Sequence, residues 1–77
     1  MVQAQSRFDD RLPAYLRLRD ELASRIAASE WSAEEPLPSD NALARDHGLS
    51  VGTVRKAVQQ LVDEGLLERR QGTGTFL

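Results

Sequence analysis

The side chains best suited to chemistry in this chain fall in two short runs. The first, SVGTVRK, places the hydroxyls of Ser50 and Thr53 three positions apart, just ahead of Arg55 and Lys56. The second, RRQGTG, sets Arg69, Arg70 and Gln71 beside Gly72, Thr73 and Gly74. A guanidinium offers paired donors that match the acceptor edge of guanine, a contact worth on the order of 1–3 kcal/mol of discrimination. Hydroxyls and backbone N–H groups at a helix start suit phosphate oxygens, which position a partner without reading its sequence. Both runs thus carry donors for a polyanion.

Catalytic chemistry has less to work with. Asp9–Asp10 and Glu34–Glu35 are adjacent acidic pairs in loop-like sequence, with no nucleophile oriented by a base. The chain has no cysteine, so neither a disulfide framework nor a thiolate metal site is available, and with one histidine, His47, a zinc centre would have to rest on carboxylates; no metal is expected. No cofactor is expected, and the chain is read as a non-enzyme.

The elements that would position the two runs can be read from periodicity. Residues 1–12 are polar and aperiodic, as in a flexible arm. Pro13 suits a first-turn helical position. Tyr15, Leu18, Leu22 and Ile26 then recur at steps of three and four, the stripe of an amphipathic helix of about four turns. Trp31 reads as a cover for one end of the core. Pro36 and Pro38 interrupt helix and force extended backbone around Leu37, where a short strand could lie.

Ser39 is a helix cap, with Asp40 in the first turn favoured by the helix dipole. A short second helix, burying Leu43 and Ala44, should end at Gly48 in the left-handed conformation. His47 is expected to interact with its last carbonyls. Ser50 caps a third helix, whose Val54, Ala57, Val58, Leu61 and Val62 form the inner stripe. Ser50, Val51, Gly52, Thr53, Arg55 and Lys56 are then expected to project outward. Leu66–Arg70 reads as a strand, Gln71–Gly74 as a turn and Thr75–Leu77 as the returning strand.

Two helices joined at a glycine make a helix-turn-helix, in which the start of the second helix can enter a major groove. The basic hairpin adds a wing. Its glycines permit close approach to a sugar-phosphate backbone, while Arg69, Arg70 and Gln71 reach a phosphate or the neighbouring minor groove. The expected fold is mainly α with a small antiparallel β-sheet: three helices and a hairpin wing, with the helix-turn-helix at about 40–59 and the wing at about 66–77.

Length allows one small domain, burying roughly 60% of its unfolded surface, and 77 residues with 40% apolar side chains fit that description. The net charge of −2 argues against a nucleic-acid partner at face value. Its distribution is uneven. From residue 48 onward four basic side chains face three acidic ones, a balance of +1, whereas the first 47 residues hold six basic and nine acidic ones, a balance of −3. No apolar run approaches the roughly 20 residues of a membrane span, and MVQAQSRFDD lacks a signal-peptide core, which fits a cytoplasmic setting.

The segment LPSDNALARDHGLSVGTVRKAVQQLVDEGLLERRQGTGTFL closely resembles the DNA-binding domain of the GntR family of bacterial transcription regulators. The similarity extends back through PAYLRLRDELASRI to cover residues 11–77, and the leading Pro and Tyr look most like the HutC-type branch. The resemblance implies an N-terminal winged helix-turn-helix that binds a palindromic operator in double-stranded DNA as a homodimer. It also implies a larger C-terminal domain, absent from this sequence, that takes a small-molecule effector and sets DNA affinity, commonly in a repressor.

By the same resemblance Arg55 stands at the base-reading Arg of TVR. Ser50 and Thr53 stand at hydroxyl contacts to phosphate, and Gln71 and Gly72 at the tip that enters the minor groove. Asn41, Val51 and Thr73 stand where the family often carries Arg. Losing all three cations would make the salt dependence of binding shallower by up to about 3 units. Val51 could instead touch a thymine methyl, and Asn41 could bond to phosphate or base.

Simpler roles accompany several of these positions. Arg55 and Lys56 could be a solvated helix face. Gly52 is explained either by close approach of DNA or by tolerance near a helix start. Ser39 is a cap first and a phosphate ligand only if the second helix crosses the backbone. Two rival functions also stand: a winged helix used for protein interaction or dimerisation, and the leading domain of an aminotransferase-like fusion regulator.

Overall fold

The apolar stripes of three helices converge on one core, in which Leu22, Val54, Ala57 and Leu61 are fully buried. The computed structural model describes residues 12–77. In chain order it contains α1 (Ala14–Ala27), α2 (Asp40–His47), α3 (Val51–Asp63), β1 (Glu68–Arg70) and β2 (Gly74–Phe76). This is the expected winged helix-turn-helix of three helices and a two-stranded antiparallel sheet. Helices α1 and α2 both pack on α3, so α3 is held by its inner face and leaves the other to solvent. The expected arm lies outside the described residues, apart from Leu12.

The helix ends follow the local chemistry. Ser39 Oγ accepts a hydrogen bond from the Ala42 N–H at 3.1 Å, and Ser50 Oγ accepts one from the Thr53 N–H at 3.1 Å. Each cap satisfies an N–H that has no partner within its own helix. Gly48 closes α2 at φ 65°, a conformation that costs a side-chain-bearing residue roughly 1–2 kcal/mol. Only Leu49 and Ser50 then separate Gly48 from α3, which makes the turn tight.

Four details differ from expectation. Pro13 is the cap of α1 rather than part of its first turn; its extended ψ of 149° lets its carbonyl accept from the N–H groups of Leu16 and Arg17. The first strand begins at Glu68 instead of Leu66, because the N–H groups of Leu66 and Leu67 both turn back to the Leu61 carbonyl at the end of α3. Gly74 belongs to β2, paired with Arg70, so the turn shrinks to Gln71–Thr73 and is closed by a Thr73 N–H to Arg70 carbonyl bond of 3.0 Å. Leu37 is not a strand. It contributes a single bond, from its N–H to the Thr75 carbonyl at 2.8 Å, which ties the Pro-flanked linker to the edge of the wing.

Trp31 is half-buried against the core, with the Arg25 guanidinium 4.6 Å from its ring centroid. At the far end of α3, Arg19 of α1 hydrogen-bonds to Glu64, and Gln60 supports the same carboxylate at 3.0 Å. These bonds hold the Glu64 carboxyl below the usual range, Arg19 contributing more than Gln60. The 13 residues of α3 span about 20 Å, so this anchor lies well away from the Ser50 end.

Candidate nucleic-acid interface

The first turn and a half of α3 leaves the globule on one side. Ser50, Gly52, Arg55 and Lys56 are exposed, Thr53 is half-buried, and Val54 between them is in the core. This alternation follows from helical period: burial of Val54, Ala57, Val58 and Leu61 turns positions 52, 55, 56 and 59 outward. The Arg55 side chain is 64% exposed, enough for its guanidinium to meet a partner without rearrangement of the core. Val51 differs from its outward reading. It is half-buried and packs against the core, so only part of its side chain faces outward.

Around Arg55 the structure assembles residues distant in sequence. An open groove is lined by the Pro36–Asn41 segment, Arg55, Arg69 and Thr73–Thr75. Ser39 and Asn41, both exposed at the start of α2, therefore share one surface with Arg55 and Thr73. A second shallow depression unites Ser50, Gly52, Thr53 and Lys56 with Pro13, Ala14 and Tyr15 at the start of α1. Lys56 reaches across it, its Nζ 4.3 Å from the centroid of the Tyr15 ring, in cation–π range. Ser50 Oγ also donates to Thr53 Oγ1 at 2.9 Å, which fixes both hydroxyls at the helix start.

In the wing, Gln71, Gly72 and Thr73 are exposed at the tip. The two arginines at its base part company, as neighbouring strand residues must. Arg69 turns toward α2, within 3.4 Å of Asp40 Oδ2 and 3.3 Å of Thr75 Oγ1. Arg70 lies over the Phe76 ring at 4.4 Å, with Glu68 at 3.7 Å. The sequence offered both as free cations for a phosphate. The structure leaves Arg70, about half exposed, as the more available of the two.

Two residues of this surface were not singled out as functional in the sequence. Tyr15 fits the core stripe by its spacing, yet at the start of α1 it also borders Ser50, Gly52, Thr53 and Lys56. Asp40 has a sufficient local reason in the α2 dipole, and nothing in its spacing shows that Arg55 and Arg69 converge on it. His47 also differs from expectation: Gly48 closes α2, and the His47 Nδ1 faces Glu21 of α1 at 3.8 Å.

Comparison with known proteins decides the family. The family "Bacterial regulatory proteins, gntR family" matches residues 14–77. The chain belongs to it. Among its relatives, the HTH-type transcriptional repressor NagR of Bacillus subtilis is 41% identical over 66 residues, covering 86% of this chain and 27% of NagR. The histidine utilization repressor of Klebsiella aerogenes is 35% identical over 65 residues, covering 84% of this chain and 27% of that protein. The chain thus spans about a quarter of the length of these family members. Among solved structures, the DNA-binding domain of AraR in complex with operator ORR3 superposes with a TM-score of 0.83 at 34% identity, covering all of this chain and 90% of that one. A GntR family transcriptional regulator from Listeria monocytogenes gives a TM-score of 0.82 at 26% identity, over 91% of this chain and 61% of that one.

Proposed function

We infer that this chain is a sequence-selective binder of double-stranded operator DNA, acting as the recognition domain of a bacterial transcription repressor. The observation that carries this reading is the placement of Arg55 on the exposed face of α3, flanked by the wing tip and the capped start of α2 in one open groove. In this reading α3 enters the major groove and Arg55 donates to a guanine edge. Ser50 and Thr53 meet a phosphate on one flank, with Lys56 beside them, and Ser39 and Asn41 meet one on the other. Gln71, Gly72 and Thr73 follow the adjacent minor groove, with Arg70 behind them, and Val51 presents its outer methyl to a thymine.

The relatives called repressors, and the AraR domain solved on an operator, support the same assignment. The whole protein then joins this domain to a C-terminal effector domain that takes a small molecule. It binds a palindromic operator as a homodimer in the cytoplasm, and this domain performs no catalysis.

The test is selection of bound sequences from a random duplex pool with the purified domain, followed by titration of the enriched duplex. Enrichment of one short motif, an inverted repeat or its half, is expected. Arg55→Ala is expected to lower the preference for that duplex over a scrambled one by about 5- to 140-fold, the equivalent of 1–3 kcal/mol. Absence of any enriched motif, or equal preference in wild type and variant, contradicts the reading.

A further inference from the structure

Asp40 occupies a place that its favourable position in the first turn of α2 does not explain. It opens α2 immediately after the Ser39 cap, and its side chain is only 20% exposed. Its Oδ2 lies 3.8 Å from Arg55 Nε on α3 and 3.4 Å from Arg69 Nη2 on β1. One carboxylate oxygen therefore faces cations from two different elements. Arg69 is held from its other side by Thr75 Oγ1 at 3.3 Å, across the strand pair Arg69–Thr75. The chain of contacts runs from the start of α2 to the exposed arginine of α3, and from the same oxygen into the wing.

We propose that Asp40 is a positioning residue of the DNA-binding surface, whose carboxylate fixes the wing against α3 and sets the aim of Arg55. The proposal rests on the DNA-binding reading given above. The geometry favours positioning in a specific way. Asp40 approaches Arg55 through Nε while the arginine side chain stays 64% exposed, and a paired contact to a guanine edge can be made with the two terminal nitrogens. The separation of 3.8 Å is an ion-pair distance and too long for a hydrogen bond, so the arginine is steered without its donors being consumed. On the wing side the hairpin has only three residues per strand and a single backbone bond to the linker, from Leu37 to Thr75. A two-stranded hairpin is marginal by itself. The Asp40–Arg69 contact is a second tether, made from β1 to the start of α2, whereas the Leu37 bond is made to β2.

A purely electrostatic role for Asp40 makes the opposite prediction. Removing a negative charge from a surface that meets phosphates strengthens binding to every duplex alike. Removing a positioning group instead leaves Arg55 and Arg69 to be ordered at the moment of binding, which weakens only the contacts that depend on aim.

The experiment compares wild type, Asp40→Asn, Arg69→Gln and the double variant on the duplex selected by the wild-type domain and on a scrambled duplex. Asp46→Asn, the same charge change on the last turn of α2, serves as control. The ratio of the two affinities is expected to fall by about tenfold in Asp40→Asn. The double variant is expected to fall no further than the more affected single one, and the control ratio to stay level. In the absence of DNA, amide relaxation should show residues 69–75 gaining motion in Asp40→Asn while α3 stays rigid. An unchanged ratio, additive losses in the double variant, or a wing equally rigid without the carboxylate overturns the proposal. Failure of the pool to yield any motif counts against the DNA-binding reading itself, and the relaxation measurement then still decides whether Asp40 tethers the wing.

Discussion

Gly52→Ala separates what the fold needs from what a DNA partner needs. Gly52 is the second residue of α3, has a negative φ, and is exposed. A Cβ built there meets nothing nearer than the Ser50 Oγ at 4.0 Å, an ordinary contact. The protein itself gives no steric reason for glycine. Replacing it should therefore stabilise the domain by about 0.4–1 kcal/mol, mainly by restricting the unfolded chain. For a domain of this size that corresponds to a rise in Tm of roughly 2–8 °C.

If α3 enters a groove with its first turn against the phosphates, the same methyl group intrudes where the backbone must come close. Affinity for the selected duplex should then fall while Tm rises. Thermal unfolding followed by circular dichroism supplies one half of the test and fluorescence-anisotropy titration the other. A lowered Tm contradicts the open space seen around position 52. A raised Tm with unchanged affinity refutes close approach of DNA to this turn, and leaves tolerance near a helix start as the explanation of the glycine.

Other outcomes follow from individual contacts. Gly74→Ala should be more harmful than Gly72→Ala: Gly74 has φ 126° and its added Cβ would sit 3.2 Å from the Pro36 Cβ, whereas Gly72 at φ 80° has open space around it. The strained backbone alone costs on the order of 1–3 kcal/mol at either position, and the difference between the two melting temperatures reports the less accessible φ of Gly74 together with the packing of linker against wing. Leu22→Ala, at a fully buried site, should cost about 2–5 kcal/mol in urea unfolding. Lys56→Gln should weaken binding to all duplexes and reduce the salt slope by about 0.9, read from titrations at several salt concentrations.

The Glu64 carboxyl is lowered by Arg19 and Gln60, so its contribution to stability is complete above the ordinary glutamate value of about 4.3 and is lost as pH falls through the lowered folded value. Glu64→Gln should accordingly flatten the acid limb of the stability profile below that pH. An unchanged limb contradicts the pairing.

Much of this architecture was legible because it depends on local rules. The stripe through Leu18 and Leu22, the caps at Ser39 and Ser50 and the left-handed Gly48 each have a short-range cause, and each is where the sequence places it. The outward face of α3 followed from the same periodicity, which also explains Val51: three residues before Val54 and seven before Val58, it falls on the inner side of the helix and packs against the core. What could not be read depends on contacts between distant elements. Leu66 resembled strand residues in type, yet the end of α3 captures its N–H. Arg69 and Arg70 were equivalent as letters, and only the pleat and the neighbouring α2 distinguish one facing a carboxylate from one stacked on Phe76. Asp40 had an adequate local explanation, which concealed its longer reach.

The central claim is that one contiguous surface, the start of α3 with the wing tip and the start of α2, meets the duplex. Amide chemical-shift mapping of the labelled domain during titration with the selected DNA tests it most directly. Perturbations should concentrate at Ser39, Asn41, Ser50–Lys56 and Arg70–Thr73, and leave the Arg19–Glu64 end unmoved. Shifts centred on that far end, or none at residues 50–56, would contradict the account.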